Sequence, residues 1–215
     1  MEPKRTRARR KSTVRGSAAG DRRIAILKSA AAAFRRRGYH GASVDEIASA
    51  LAMTKGSLYY YFRNKEDILY ACHEYSLDFL LHLMREVRDE PIPADQKLRK
   101  LILAFVHLIL DELQATALTL DPEALSSPLL EKAIAKRDEF DRGMRAIIQE
   151  GMDADIFTPG DPKMIEFAIM GAVNLISKWF DPAGPMTSQQ IGDAFANYLV
   201  GQLAARPGVA AAMRR

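Results

Sequence analysis

A chain of 215 residues that is 48% hydrophobic and 27% charged can bury a sizeable core, which excludes a mainly disordered protein. Its longest apolar run, residues 101–110, contains His107 and falls far short of the roughly 20 residues that span a bilayer, and a single cysteine excludes an internal disulfide framework. The net charge of +4 hides an asymmetry: residues 1–20 carry seven Lys/Arg against one acid, residues 21–65 nine against three, and the rest fifteen against twenty-three.

Such a cationic front suits a polyanion, or else only keeps the protein in solution. Residues 1–20 lack apolar periodicity and read as a disordered basic arm, able to lie along phosphates or to serve only as a tether. No apolar stretch follows the basic start as it would in a secretion signal, so a cytoplasmic location is expected. From Asp21 the period turns helical, with Ile24, Leu27, Ala31 and Phe34 on one face and Gly38 as a C-terminal stop. Ser43-Val44-Asp45-Glu46 forms a capping box, Ser43 receiving the Glu46 N–H while Glu46 reaches back, and opens a short helix ending near Ala52. Thr54 opens another over 55–61. Asn64-Lys65-Glu66-Asp67 caps a fourth helix with acids in its first turn, where the helix dipole favours them; it runs over 65–89 and stops before Pro91 and Pro93.

Four more helices are predicted over about 94–120, 129–153, 162–180 and 188–204. Asp121-Pro122, Ser127-Pro128, Thr158-Pro159-Gly160 and Asp181-Pro182-Ala183-Gly184-Pro185 punctuate them, and Thr187-Ser188-Gln189-Gln190 is a second capping box. No strand alternation or internal repeat is present. The predicted fold class is all-α with about nine helices: a three-helix N-terminal domain over 21–65, the fourth helix as connector, a helical domain over 90–205 and a tail over 206–215.

Two short helices joined by a tight turn, with a third in front, are the smallest unit that presents one helix rigidly to a DNA major groove. Ile47, Ala48, Leu51, Met53, Leu58 and Tyr61 can form the inward set that fixes their crossing. Thr54, Lys55, Ser57, Tyr59 and Tyr60 then face outward, able to hydrogen-bond or stack at base edges and phosphates, while Gly56 leaves room for the sugar-phosphate wall. Lys65 joins a cation to a positive helix end, which makes a phosphate clamp. A Gly-rich phosphate loop, a nucleophile elbow and a zinc motif are all absent from the sequence, so no catalytic residue and no cofactor are assigned. His40, His73 and His82 lack the spacing that builds a metal site, and Cys72 reads as a small buried apolar side chain.

At Phe34-Arg35-Arg36-Arg37-Gly38-Tyr39, Ser43-Val44-Asp45-Glu46-Ile47-Ala48 and Lys55-Gly56-Ser57-Leu58-Tyr59-Tyr60-Tyr61-Phe62-Arg63-Asn64-Lys65, the chain resembles the TetR family of repressors over about 45 residues in order and register. The resemblance implies that Lys55, Gly56, Ser57, Tyr59 and Tyr60 lie against DNA, with Ser43 and Lys65 on phosphates. Two positions depart from the family pattern: Ala52 stands where a turn glycine is usual and Tyr61 where histidine is common. If the turn needs a left-handed backbone, the Ala52 Cβ costs roughly 1–2 kcal/mol.

The resemblance also implies a C-terminal domain that holds a small-molecule effector and forms a homodimer through its last two helices, 162–180 and 188–204. Ile165, Ile169, Ala172, Val173, Ile176, Phe195, Leu199 and Leu203 stand there at helical spacings suited to a four-helix bundle from two subunits. Candidate ligand contacts are Phe105, Leu108, Phe140, Met144, Phe167, Met170 and Trp179, each otherwise plain core, and His107, either a satisfied core histidine or a polar handle. Lys136-Arg137-Asp138-Glu139-Phe140, Ile147-Ile148-Gln149-Glu150-Gly151 and the 179–185 segment resemble the acyl-CoA-responsive branch of the family. Arg137, Arg142 or Arg145 would then meet CoA phosphates, or else form the exposed face of an amphipathic helix. The reading is a ligand-released dimeric repressor on a palindromic operator; the alternative is a non-specific DNA-coating protein.

Overall fold

In a computed structural model the described residues are 10–110, 124–181 and 183–205, with side chains from residue 19 onward. They form the helices α1 (Arg10–Gly41), α2 (Val44–Ser49), α3 (Lys55–Tyr59), α4 (Lys65–Asp89), α5 (Ala94–Leu110), α6 (Ser127–Asp153), α7 (Pro162–Asn174), α8 (Ile176–Trp179) and α9 (Ser188–Leu203). Outside them, Phe157 and Ala204 form one isolated antiparallel bridge. None of these helices is long and apolar enough to cross a membrane.

The caps follow from local sequence. Asn64 accepts the Asp67 N–H at 2.7 Å, Asp161 the Lys163 N–H at 2.8 Å ahead of Pro162, and Thr187 and Gln190 close a complete capping box. Helix α4 stops because Glu90 precedes Pro91 and is held extended, at φ −69° and ψ 139°.

Several expectations need correction. The segment expected to be a free arm is helical from Arg10: Ala, Arg and Lys are good helix formers, and extending a helix already anchored by packing costs little per residue. Residues 1–9 and the expected tail lie outside the described residues, as do the continuation of α5 to about 120 and the Asp121-Pro122 break. Gly38 does interrupt α1, with φ 68° and ψ 171°, backbone that residues bearing a Cβ avoid, but one further turn follows to Gly41. The Ser43 box is only half formed. Ser43 Oγ accepts the Glu46 N–H at 3.0 Å, whereas Glu46 Oε1 is drawn to Arg36 at 3.1 Å and Arg37 at 3.6 Å. Residues 162–180 are two helices, not one; Ser177 Oγ donates to the Asn174 carbonyl at 3.0 Å, the back-bonding that bends a helix, and the chain tightens at Leu175.

Two apolar cores result. The first gathers Ile26, Phe34, Ile47, Leu58 and Phe62 with Ile68, Leu69 and Cys72 of α4, plus Ala124 and Leu125 just before α6. The second joins Leu80, Leu81 and Met84 of α4 to Leu98, Leu101, Phe105 and Ile109 of α5, Phe140, Met144 and Ile147 of α6, and Ile169, Val173 and Val200. The first core thus draws on residues past 65. Cys72 is buried as expected, its thiol pushed up to about 12 by burial and donating to the Leu27 carbonyl at 3.6 Å.

Between α2 and α3, the Met53 N–H bonds the Ala48 carbonyl and the Ala52 N–H the Ser49 carbonyl, a Schellman closure that puts Ala52 at φ 52°. The left-handed turn is therefore real, and Ala52 is the residue that carries its strain. Ala52→Gly should raise the unfolding free energy by about 1 kcal/mol in urea melts; an unchanged or lower value would mean that the turn is not strained.

Candidate functional site

Helix α3 stands out from the N-terminal core on one inward anchor, Leu58, which is fully buried. Its other faces are open: Thr54, Lys55, Gly56, Ser57, Tyr59 and Tyr60 are all exposed, Tyr60 at 85%. Thr54 Oγ1 caps the helix by accepting the Ser57 N–H at 3.1 Å and shares a hydrogen bond with Ser57 Oγ at 2.9 Å. Beside them runs an open groove lined by Arg22 of α1, Ala52, Met53, Thr54, Gly56, Ser57, Tyr60 and Tyr61. Arg22 was not foreseen, because nothing in the sequence separates it from the other arginines around it. Tyr61 is half-buried and Phe62 buried, with the Arg23 guanidinium 4.5 Å above the Phe62 ring.

Two lysines differ in commitment. Lys55 pairs with Asp45 at 2.9 Å on the open surface, and that bond holds its ammonium above the usual lysine range. Exposed pairs of this kind are worth about 0–1 kcal/mol, so the bond is readily exchanged for a phosphate. Lys65 lies 4.4 Å over the Tyr39 ring and donates to the His40 carbonyl at 3.3 Å, and burial holds its pKa below the usual lysine value. It ties the start of α4 to the end of α1. Ser43 is likewise occupied, as the cap of α2.

A second feature lies in the C-terminal half. A cavity of about 190 Å³ is walled by Leu77 and Leu80 of α4, Phe105 of α5, Arg137, Phe140 and Asp141 of α6, and Glu166, Phe167, Met170 and Asn174 of α7. Of the expected ligand contacts it brings together Phe105, Phe140, Phe167 and Met170. The other four lie elsewhere. Leu108 and Met144 are core, at 1% and 2% exposure; His107 faces α9, its Nε2 3.7 Å from where a Gly192 Cβ would stand; Trp179 is half exposed and stacks on Phe195. Among the three arginines, Arg137 lines the cavity, Arg142 is exposed away from it, and Arg145 is spent on Glu166, with Nε at 3.2 Å and a terminal nitrogen at 2.9 Å from Oε2.

The cavity acids were missed. Asp141 and Glu166 sit on amphipathic helices where an inward carboxylate and an outward one look alike; a lone acid inside the apolar run Met164-Ile165-Glu166-Phe167-Ala168-Ile169 was the available signal. Glu166 is 1% exposed. Burial pushes the Asp141 carboxyl up to about 6, the Glu166 charge adds to this, and Arg145 and Arg137 oppose it. Among the described residues no group of three His, Cys, Asp or Glu could hold a metal ion.

The residues expected to form the dimer contact do not make the open face. Ile169, Val173 and Ile176 are buried in their own subunit, and Ile165, Phe195, Leu199 and Leu203 pack against the same core. What α7 presents outward is Met164, Ala168, Gly171 and, just past its end, Leu175; α9 presents Ala194, Tyr198 and Gly201, so the stripes lie one residue before the expected set except at Gly201, two before Leu203.

The described α2–α3 unit lies within residues 26–72, which match the model of bacterial regulatory proteins of the tetR family, and residues 91–203 match the tetracyclin repressor-like C-terminal domain. The chain belongs to the TetR family. The HTH-type transcriptional repressor KstR2 of Mycobacterium tuberculosis is 28% identical over 184 residues, covering 84% of this chain and 92% of the relative. Its solved structure superposes with a TM-score of 0.78 at 24% identity, over 86% of this chain and 96% of that one, which shows the shared fold. AibR in complex with isovaleryl coenzyme A and operator DNA gives a TM-score of 0.73 at 28% identity, over 83% of this chain and 98% of that one. Regulators of the TetR family bind operator DNA as dimers.

Asp141 sets a pH dependence within this fold. Its pKa is about 6 when folded against an ordinary 3.8, so the folded state favours the neutral acid and loses stability as pH rises from about 4 through 6. Asp141→Asn should therefore raise thermal stability at pH 8, by on the order of 1 kcal/mol after allowance for solvent, and the gain should vanish near pH 4. A gain that is equal at both pH values would remove burial as its cause.

Proposed function

We propose that this chain is a ligand-released transcriptional repressor that reads a palindromic operator as a dimer and responds to an acyl-CoA thioester. The observation that carries the reading is that the cavity is walled by the same two helices that enter the N-terminal core. Helix α4 gives Leu77 and Leu80 to the cavity and Ile68, Leu69 and Cys72 to that core. Helix α6 gives Arg137, Phe140 and Asp141 to the cavity, while its first turn packs Leu129 and Leu130 against the N-terminal core and the preceding Ser126 N–H bonds Glu66 of α4. That bond holds the Glu66 carboxyl below its usual range. A ligand that parts α4 from α6 must shift α3 relative to its twofold mate, and two recognition helices must sit about one DNA turn, roughly 34–36 Å, apart to engage adjacent major grooves. Operator and ligand affinities are then reciprocally coupled.

In this reading the exposed stripes of α7 and α9 form the subunit contact. Thr54, Lys55, Gly56, Ser57, Tyr59, Tyr60 and Arg22 meet DNA, and Ser43 and Lys65 meet phosphates. Arg137, which lines the cavity, meets a CoA phosphate, and the acyl group lies among Leu80, Phe105 and Phe140. AibR supports the effector class, since its complex holds isovaleryl coenzyme A together with operator DNA.

Operator anisotropy titrations with a panel of short and branched acyl-CoAs test this directly: at least one should weaken operator binding tenfold or more while raising the melting temperature of the free protein. If none does either, the acyl-CoA effector is wrong. The reading helix is tested separately. Lys65→Ala should weaken operator and random duplex alike, whereas Lys55→Ala or Tyr59→Ala should narrow the ratio between them by about 1–3 kcal/mol. Equal losses on both duplexes from all three would make α3 a backbone contact and favour non-specific coating.

A further inference from the structure

The inner wall of the cavity is unlike the plain apolar pocket that a saturated acyl group would need. Asn174 Oδ1 is buried and accepts no hydrogen bond from any described residue. Glu166 is almost completely buried, and both bonds from Arg145 fall on its Oε2. Asp141 lines the same wall with no ion pair at all among the described residues. All three side chains offer acceptors, and of them Asn174 Oδ1 is the buried one left without a donor, which costs free energy that only a donor can recover. Charge narrows the choice further. Asp141 and Glu166 are matched by Arg137 and Arg145, so the wall has no surplus charge to hold an ammonium, while an entering carboxylate meets two acids. What remains is an uncharged group that donates.

We propose that the ligand of this cavity carries a neutral hydrogen-bond donor, a hydroxyl or an amide N–H, on an otherwise apolar body, and that Asn174 and Asp141 receive it. This rests on the reading of the cavity as the effector site and adds the ligand's chemical class. The donor belongs beside α7, and the apolar body lies against Leu77, Leu80, Phe105 and Phe140. A site built to pair a hydroxyl rejects the analogue lacking it far more strongly than an apolar pocket rejects a missing methylene. Asn174 also sits at the α7–α8 break, so its engagement reaches the helix whose outer stripe faces the second subunit.

The test compares matched ligands by calorimetry and thermal shift on the full-length protein. One pair is 3-hydroxybutyryl-CoA against butyryl-CoA; a second set, free of CoA, is 4-phenylbutan-1-ol, 4-phenylbutyramide and 4-phenylbutyrate. The hydroxylated thioester should bind at least tenfold tighter than its parent, and the alcohol or the amide at least tenfold tighter than the carboxylate. A preference shared by the alcohol and the hydroxyacyl thioester assigns a ligand hydroxyl; a preference for the amide alone assigns the amide N–H of the thioester's pantetheine arm. Asn174→Leu should bring the hydroxyacyl preference to within about twofold of unity. Asp141→Asn, which keeps an acceptor and removes the charge, should preserve that preference but relax the rejection of the carboxylate. Acyl-CoAs that bind and release operator without regard to the hydroxyl, or a carboxylate that binds best, would overturn the ligand class while leaving the effector site standing. Failure of every compound to bind would overturn both.

Discussion

Two helices without a break, each shared between two cores, are the constraint on which the rest of this molecule depends. At 1.5 Å per residue, the 25 residues of α4 span roughly 37 Å, and the step from Ile68 in the first core to Leu80 at the cavity is about 18 Å. Helix α6 runs beside it, from Leu129 against the first core to Ile148 deep in the second. Packed helices slide or tilt as rigid bodies because close-packed interiors do not deform smoothly. A change of width at the cavity is thereby converted into displacement at the other end of the same rods. The Glu66 bond to the Ser126 N–H ties those rods together at the end nearer to α3.

The electrostatics follow the same division. The excess of cations lies in the first 65 residues and the excess of acids in the remainder, so the part of the chain that carries α3 is also the part whose charge attracts a polyanion. Within that field the side chains are graded by how firmly the fold holds them. Tyr60 is free to solvent, Lys55 is held by one exposed pair, and Lys65 is seated on an aromatic ring and a carbonyl. The cavity inverts this arrangement: Glu166 is buried and paired with Arg145, Asp141 is half-buried with no ion pair among the described residues, and burial there raises the cost of any unbalanced charge.

Much of the fold was legible because its signals are local. Thr54, Asn64 and Thr187 each cap a helix through a bond to a residue three positions on, a distance over which sequence and geometry are nearly the same thing. The left-handed turn at Ala52 is equally local, closed by the Ala52 N–H on Ser49 and the Met53 N–H on Ala48, although an alanine in place of glycine left its backbone open in the sequence. The failures are of another kind. Glu46 was expected to bond its own helix cap and instead bonds Arg36 and Arg37 of a different helix. Leu108 and Met144 stand three and four residues from Phe105 and Phe140, on the same helix faces, yet packing buries them in the core and keeps them out of the cavity.

By itself, then, the sequence determined an all-α chain, the start of most helices, and a helix-turn-helix with an exposed face over residues 54–60. Each of these is decided by hydrogen bonds and apolar spacing within a few residues. Only the tertiary structure decided that Arg22 joins that face, that Asp141, Glu166 and Asn174 meet across two helices, and that the outward stripe of α7 and α9 is Met164, Gly171, Leu175, Tyr198 and Gly201. Those outcomes depend on how helices far apart in the chain are rotated about their axes against one another. Periodicity shows that a helix has an apolar side, but when neighbouring positions are nearly all apolar, packing alone selects which of them point inward.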